Sequence, residues 1–282
     1  MLGLSREARW TFPSSYGLPA APDELSVLPL VAERGRLPET AQALDDEEAI
    51  ELAANAWRAW MVERDLGGGR RFVDEILARG GEPSRSRSLA LYGSGLFALR
   101  VDDRATSRDR NADALALARE LGDPEALALA NLGLARVALE DGDHEAARTL
   151  VVEAREHAGE TALGQAPLHI HAQALRQGGD YDGAAELFAD SLALNRRVGD
   201  EGMVEVELQN LSVVELHRGH HETALRLLEE LAPGDDYPFG AAVLAYARGD
   251  AARARSLLGE VDREELPQDD QAELDWLRAE LG

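Results

Sequence analysis

Apolar residues recur along most of this chain three and four positions apart, with charged residues between them. That spacing places the apolar side chains on one face of an α-helix, so it predicts amphipathic helices. The apolar residues are mostly Leu, Ala and Val, and Glu and Arg are abundant, a composition that also favours helix over strand. We therefore predict an all-α protein.

The helical pattern repeats along the chain as helix, Gly-Asp-like turn, helix. Five segments align on turn positions spaced 30 to 40 residues apart, and a more divergent sixth copy has its turn position at Arg64. The five aligned turn positions are Asp102, Gly142, Gly179, Gly219 and Gly249. Five residues after each of the six positions comes a small residue, which lets two crossing helices approach closely. These small residues are Gly69, Ser107, Ala147, Ala184, Ala224 and Ala254.

Two positions depart from this regularity. Four residues after each small residue the second helix carries a large apolar residue, except that one copy has Asn111. The first helix carries a small residue seven positions before the turn, except that the divergent copy has Trp57. Both residues are misfits in the repeat pattern.

This arrangement resembles the tetratricopeptide repeat, and the resemblance covers roughly residues 47–262. It implies a right-handed superhelical α-solenoid of about six helical hairpins, each burying its apolar face against its neighbours. The segment AIELAANAW and the repeat ends ARELGD and NRRVGD are similar to the repeat arrays of actinobacterial multidomain transcriptional regulators. The nucleotide-binding module of those regulators needs a GxxxxGK[ST] loop, which a chain without lysine lacks.

We expect three parts in the chain: an irregular segment or cap at 1–40, the solenoid at 41–265, and a C-terminal capping helix at 266–282. The capping helix should place its acidic residues outward and three leucines inward, namely Leu274, Leu277 and Leu281. The N-terminal part is expected to be a tail or simple cap. The alternative is that its aromatic residues lie across the solenoid as a plug: Trp10, Phe12 and Tyr16.

The resemblance also implies a concave groove lined by the first helix of each hairpin. The groove positions carried onto this sequence are Asn55, Arg58, Tyr92, Arg100, Arg136, Glu140, His169, Gln173, Arg176, Gln177, Gln209, Asn210, Val213, His217 and Tyr246. Guanidinium groups bind carboxylates with paired hydrogen bonds, and amides can hold a peptide backbone. The groove therefore favours an acidic peptide segment or a C-terminal carboxylate as its ligand. The alternative is that the arginines pair with neighbouring Glu and Asp and stay solvated.

Charge and composition exclude several classes of function. The 282-residue chain has a formal net charge of −24, and all 29 basic residues are arginine. Such acidity repels phosphate backbones and anionic lipid, so we expect no nucleic-acid partner and no membrane partner. The chain has no cysteine, no apolar stretch near the roughly 18 residues of a membrane helix, and no secretory signal. A soluble, cytoplasmic protein is expected.

The histidines are the residues that most resemble an enzyme site. His217 and His221 are four residues apart, but the turn at Gly219 separates them, so they should diverge rather than share a metal ion. His169 and His171 should point to different sides of one helix, with only His169 toward the groove. We predict hydrogen-bonded or solvated histidines, no metal and no cofactor, and the common catalytic motifs are absent.

The sequence therefore predicts a bacterial regulatory, non-enzymatic module that binds a peptide or protein partner in a concave groove. The alternative is a small-molecule sensor, or an enzyme, that uses the groove as a pocket. Self-association of the array is a third alternative.

Overall fold

The computed structural model describes residues 34–62, 65–158, 165–231, 238–266 and 268–282. A short 3-10 turn at Arg34–Arg36 leads into the first helix. The α-helices are α1 Leu37–Ala43, α2 Asp46–Ala56, α3 Arg58–Val62, α4 Leu66–Leu77, α5 Arg85–Arg100, α6 Arg104–Leu121, α7 Pro124–Glu140, α8 His144–Ala158, α9 Gln165–Gln177, α10 Tyr181–Val198, α11 Glu201–His217, α12 His221–Glu230, α13 Pro238–Ala247, α14 Ala251–Leu258 and α15 Gln268–Leu281. No described residue is in a strand, and the prediction of an all-α fold is confirmed. Arg64 and the three N-terminal aromatics proposed as a plug lie outside the described residues.

Consecutive helices pair as antiparallel hairpins and the hairpins stack. Helix α5 pairs with α6, α7 with α8, α9 with α10, α11 with α12, and α13 with α14. The first helices also contact one another from hairpin to hairpin, α2 with α5, α5 with α7, and α7 with α9. We call α2, α5, α7, α9, α11 and α13 the inner helices. The prediction of a helical-repeat solenoid is confirmed.

One turn geometry joins the two helices of each regular hairpin. In the turn after α7, Gly142 has φ 74°, and the N–H of Asp143 donates to the carbonyl of Ala138 at 2.8 Å. The Asp143 side chain then accepts the N–H of Ala146 at 3.0 Å, so the aspartate ends one helix and caps the next. The left-handed backbone at Gly142 explains why glycine occupies this position.

The histidine-rich stretch is a turn of the same kind. The N–H of His220 donates to the carbonyl of Glu215 at 2.8 Å, in the same pattern as the other turns. His220 makes no capping hydrogen bond to α12, and its Nδ1 instead lies 2.6 Å from Oε2 of Glu215. His217 ends α11 and His221 begins α12, so the helix breaks between them as the sequence predicted.

The small residues predicted at the helix crossings are all buried. Asn111, which departs from the pattern, fits because two glycines make room for it. A Cβ on Gly133 would lie 1.9 Å from Oδ1 of Asn111, and one on Gly95 would lie 2.5 Å from Nδ2. Nδ2 also donates to the carbonyl of Ser107 at 2.8 Å. The larger polar side chain of Asn111 is therefore matched by smaller residues on α5 and α7.

Gly133→Ala is expected to lower the free energy of unfolding by roughly 1–3 kcal/mol, because the new methyl group overlaps Asn111. Gly67→Ala is the matched control, since Gly67 is a helical glycine with nothing within 4 Å of an added Cβ. It should be neutral or stabilising. Urea denaturation measures both. Adding Asn111→Ala to Gly133→Ala should recover most of the loss, and losses that simply add would contradict the overlap.

Trp57, the second departure, lies at the break between α2 and α3 and is 1% exposed. Its ring meets Tyr92 and Phe97 edge to face, at centroid distances of 6.0 and 6.1 Å. Gly93 makes room for the indole, because a Cβ there would come within 2.9 Å of it. Trp57 is thus a core residue of the first hairpins, and the helix break is where it enters.

Candidate functional site

The residues predicted to line the groove lie on the inner helices, except Arg58, which begins α3. The structure joins most of them into three groups, which follow one another along the stack from its N-terminal end. Outside these groups, Asn55 donates to the carbonyl of Glu51 within its own helix at 2.9 Å. Val213 is buried and packs in the C-terminal core cluster.

Four further residues lie at the edges of this surface. Arg100 and Glu140 are the exposed last residues of α5 and α7. Gln177, the last residue of α9, and Gln209 of α11 are half-buried.

The N-terminal group is a cationic cluster of Arg58, Tyr92 and Arg136. Arg136 is only 5% exposed, and its Nη1 donates to the hydroxyl of Tyr92 at 3.1 Å. The Arg58 guanidinium lies 5.3 Å from the centre of the Trp57 ring. Burial lowers the pKa of Arg58 to about 10, a net value that also contains an opposing effect of Tyr92 and a smaller lowering effect of Arg85. Arg58 is still protonated at neutral pH, so the cluster carries desolvated positive charge.

The central group is a buried polar network between α9, α10 and α11. Glu207 has 0% exposure, and its Oε1 accepts from the hydroxyl of Ser191 at 2.5 Å and lies 3.0 Å from Nδ1 of His169. Next to it, Nε2 of Gln173 donates to Oδ1 of Asn210 at 3.4 Å. His169 thus links the inner face to a carboxylate inside the solenoid.

The C-terminal group includes a residue from the last helix. Glu273 of α15 reaches Nη1 of Arg176 at 3.4 Å and Nε2 of His217 at 2.6 Å. The His217 ring lies between two aromatic rings, stacked on Tyr181 at a centroid distance of 4.3 Å and tilted against Trp276 at 3.9 Å. Arg176, like Arg136, is 5% exposed. Tyr246 completes the group, edge to face with Trp276 at 5.8 Å.

Three residues of these groups were not predicted from the sequence: Glu273, Trp276 and Glu207. The leucines of α15 face inward as expected, but Glu273 does not point outward as Asp275 and Glu280 do. A signal for Glu207 existed, because it is an acidic residue inside the otherwise apolar face of α11. Its partners come from two other helices, which no local pattern could identify.

Arginines outside the predicted groove pair with acidic residues of neighbouring helices. Arg70 on α4 donates to Asp103 at 2.7 Å, and its hydrogen bond holds the pKa of Asp103 below the usual range. Arg218 donates to Asp182 at 2.8 Å, linking two successive hairpins. On the inner helices, Arg136 instead meets a phenol and Arg176 meets a carboxylate from the last helix.

His171 points away from the groove, toward α8. Its Nδ1 lies 3.2 Å from Nη1 of Arg155, and burial together with Arg155 lowers its pKa. Within the described part of the chain, no three His, Cys, Asp or Glu side chains are arranged to hold a metal ion. Of the helices that the structure describes, none is long and apolar enough to cross a bilayer.

No protein-family model matches the sequence, and no curated protein matches it. Solved structures do share its fold. One is a signal-transduction ATPase with numerous domains and a tetratricopeptide-repeat sensor from Pyrococcus horikoshii. It matches with a TM-score of 0.63 and 19% sequence identity, and the match covers 91% of this chain and 44% of that chain. Another is NprR in complex with its cognate peptide NprX: TM-score 0.59, 17% identity, 89% and 80% covered. A third is PilF of Pseudomonas aeruginosa: TM-score 0.58, 15% identity, 84% and 100% covered.

The predicted tetratricopeptide-repeat fold is therefore confirmed, and identity at this level shows the fold alone. The chain spans less than half the length of the Pyrococcus protein. The narrower resemblance to the arrays of actinobacterial regulators stays a prediction.

Proposed function

We propose that this chain is a non-enzymatic regulatory module whose inner helices bind an acidic segment of a peptide or protein partner. One observation carries the proposal: Arg176 and His217 on the inner helices already hold the Glu273 carboxylate of an amphipathic helix. Charge-assisted hydrogen bonds of this kind recognise carboxylates in water-poor surroundings, where they are strongest. A segment from another chain with the same chemistry would meet the same kind of surface.

The N-terminal cluster supports an acidic ligand independently. Nε of Arg58 is buried without a hydrogen-bond partner, and no carboxylate of the described residues forms an ion pair with this guanidinium. A desolvated cation is stabilised when a carboxylate comes near it. The chain as a whole has a net charge of −24 and repels anions. An anionic ligand is therefore expected to bind selectively at this cationic cluster.

The structural neighbours support the same reading. NprR was solved with a peptide bound, and the Pyrococcus protein carries its repeats as a sensor. A protein of this fold can therefore bind a peptide. We infer the same general role here, with the partner defined by its acidic chemistry.

Panning a random peptide library against the full chain tests the proposal. Acidic peptides should be enriched, and Arg58→Gln should weaken their binding at least about tenfold. Arg71→Gln is the matched control, because Arg71 is exposed on α4 and the substitution changes the net charge equally. Enriched peptides without an acidic bias, or peptides that bind both variants equally well, would overturn the proposal.

A small-molecule sensor is the second candidate, and one observation favours it. Oε2 of the buried Glu207 and Oε1 of Gln173 both lack a hydrogen-bond partner. Buried acceptors of this kind are satisfied when a donor group binds beside them. A thermal-shift screen of small amines tests this candidate: a stabilising compound whose effect is lost in Glu207→Gln would support it, and a screen without one would reject it.

A further inference from the structure

Helix α15 has two functional faces. One face, Leu274, Leu277 and Leu281, is buried in the core with residues of α13 and α14, and this face closes the end of the stack. The other face carries Glu273 and Trp276, which contact the inner helices. The second face thus adds a carboxylate and an indole contact on the inner helices to the apolar packing that covers the end of the stack.

The surface under that second face is built from separate repeats. Arg176 lies in the last turn of α9, Tyr181 begins α10, and His217 ends α11. Tyr246 lies one hairpin further along. We call these four residues the acid–aromatic site, because together they hold one carboxylate and one indole ring.

The geometry of the bound segment is specific. The carboxylate of Glu273 spans Arg176 and His217, at 3.4 and 2.6 Å. Three residues later, one helical turn away on the same side, Trp276 packs on His217 and Tyr246. An acidic residue followed at the third position by tryptophan is therefore the pattern that this site accepts.

We propose that the acid–aromatic site is a docking site for an amphipathic helix of a partner protein, with a carboxylate and, three residues later, a tryptophan. Helix α15 occupies the site within the chain, and the partner helix displaces its Glu273 and Trp276. This inference rests on the proposed function and names the partner chemistry at the C-terminal part of the inner face. Helix-in-groove recognition uses such anchor residues on one helical face.

Attachment to the same chain gives α15 an advantage over any free helix. A short tether corresponds to an effective concentration on the order of millimolar. A free peptide with identical contacts therefore competes poorly with the wild-type chain. Weakening the contacts of α15 should make the acid–aromatic site accessible to an added peptide. Peptide binding to such a weakened variant therefore tests the proposal directly.

The test uses a labelled peptide of residues 266–282 added to the full-length chain, with binding followed by fluorescence anisotropy. Glu273→Gln in the chain removes the charged contact of α15 but leaves Arg176 and His217 in place. The peptide should bind this variant at least about tenfold more tightly than it binds the wild type. Trp276→Ala in the chain should act in the same direction, and circular dichroism confirms that both variants remain folded.

Asp275→Asn is the matched control. Asp275 lies on the same helix and is exposed, and it pairs with Arg263 at 2.9 Å, away from the inner face. The peptide should bind this variant as it binds the wild type. A peptide carrying Glu273→Gln should bind the Glu273→Gln chain at least about tenfold more weakly than the unmodified peptide.

Two results would overturn the inference: equal peptide affinity for the Glu273→Gln and Asp275→Asn chains, or equal affinity of the two peptides. Either result leaves the proposed function standing if acidic peptides from the panned library still bind through Arg58. Loss of those library peptides would instead count against the proposed function itself. The two failures are therefore distinguishable.

Discussion

His169→Leu is expected to lower the free energy of unfolding by about 3–5 kcal/mol, measured by urea denaturation. The substitution removes the imidazole that lies 3.0 Å from Oε1 of Glu207. Glu207 is fully buried, so its carboxylate would keep only the hydroxyl of Ser191 as a partner. A buried charge without compensation is among the few changes that destabilise a protein this strongly.

The chain offers a matched control in a second His–Glu pair. His220 lies 2.6 Å from Oε2 of Glu215, but the His220 side chain is 53% exposed. Glu215 also accepts from Arg218 at 2.7 Å, so it keeps a charged partner when the histidine is removed. His220→Leu should therefore change stability by no more than about 1 kcal/mol.

The double variant His169→Leu/Glu207→Leu distinguishes the effect of the unpaired Glu207 carboxylate on stability from the effect of changed packing. Replacing both partners of a buried pair by apolar residues is often neutral, so the double variant should recover most of the loss. If the double variant is as unstable as His169→Leu alone, shape rather than the unpaired carboxylate explains the effect.

Trp57→Ala is expected to cost about 3–5 kcal/mol, the range for removing a large aromatic side chain from a core. The indole fills the space between Tyr92 and Phe97 at the break between α2 and α3. Gly93 has no side chain to fill the cavity left behind. Thermal and urea denaturation should agree on the loss.

Trp276→Ala is the control for Trp57→Ala. Trp276 is only partly buried, at the inner face rather than in the core. Its removal should cost clearly less than that of Trp57. Equal losses would mean that α15 contributes more to the core than its burial indicates.

The repeat register was predictable from the sequence because its causes are local. A left-handed residue at each turn and a small residue five positions later are required by backbone geometry and by close helix crossing. Those requirements are visible in one sequence without knowing what packs where. They explain why Gly142 and Ala147, with their counterparts in other repeats, take the predicted places.

Asn111 and Trp57 stood out from the repeat pattern, but the sequence did not show how the structure accommodates them. Asn111 is accommodated by Gly95 and Gly133, which lie on two other helices. Trp57 is accommodated by Gly93 and a helix break. Which residues compensate for each other depends on the three-dimensional packing. Without that packing, Asn111 or Trp57 alone appears incompatible with the repeat.

The sequence predicted which residues of the candidate site lie on the inner helices, but not how they are buried or what they contact. Counting along the repeat placed Arg136, Arg176 and His217 on the inner helices, and they are there. Their burial and their partners did not follow from counting. The carboxylate of Glu273 comes from 97 residues beyond Arg176, and a repeat pattern contains no information about a contact of that range.

That same contact has a consequence for how the molecule unfolds. A stack of hairpins joined only to their neighbours frays from its ends, one unit at a time. The bridge from α15 to Arg176 ties the end of the chain back across the hairpins between them. Fraying from this end must break the bridge first, so the C-terminal hairpins should open together as one cooperative unit, with similar hydrogen-exchange protection along α11 to α15.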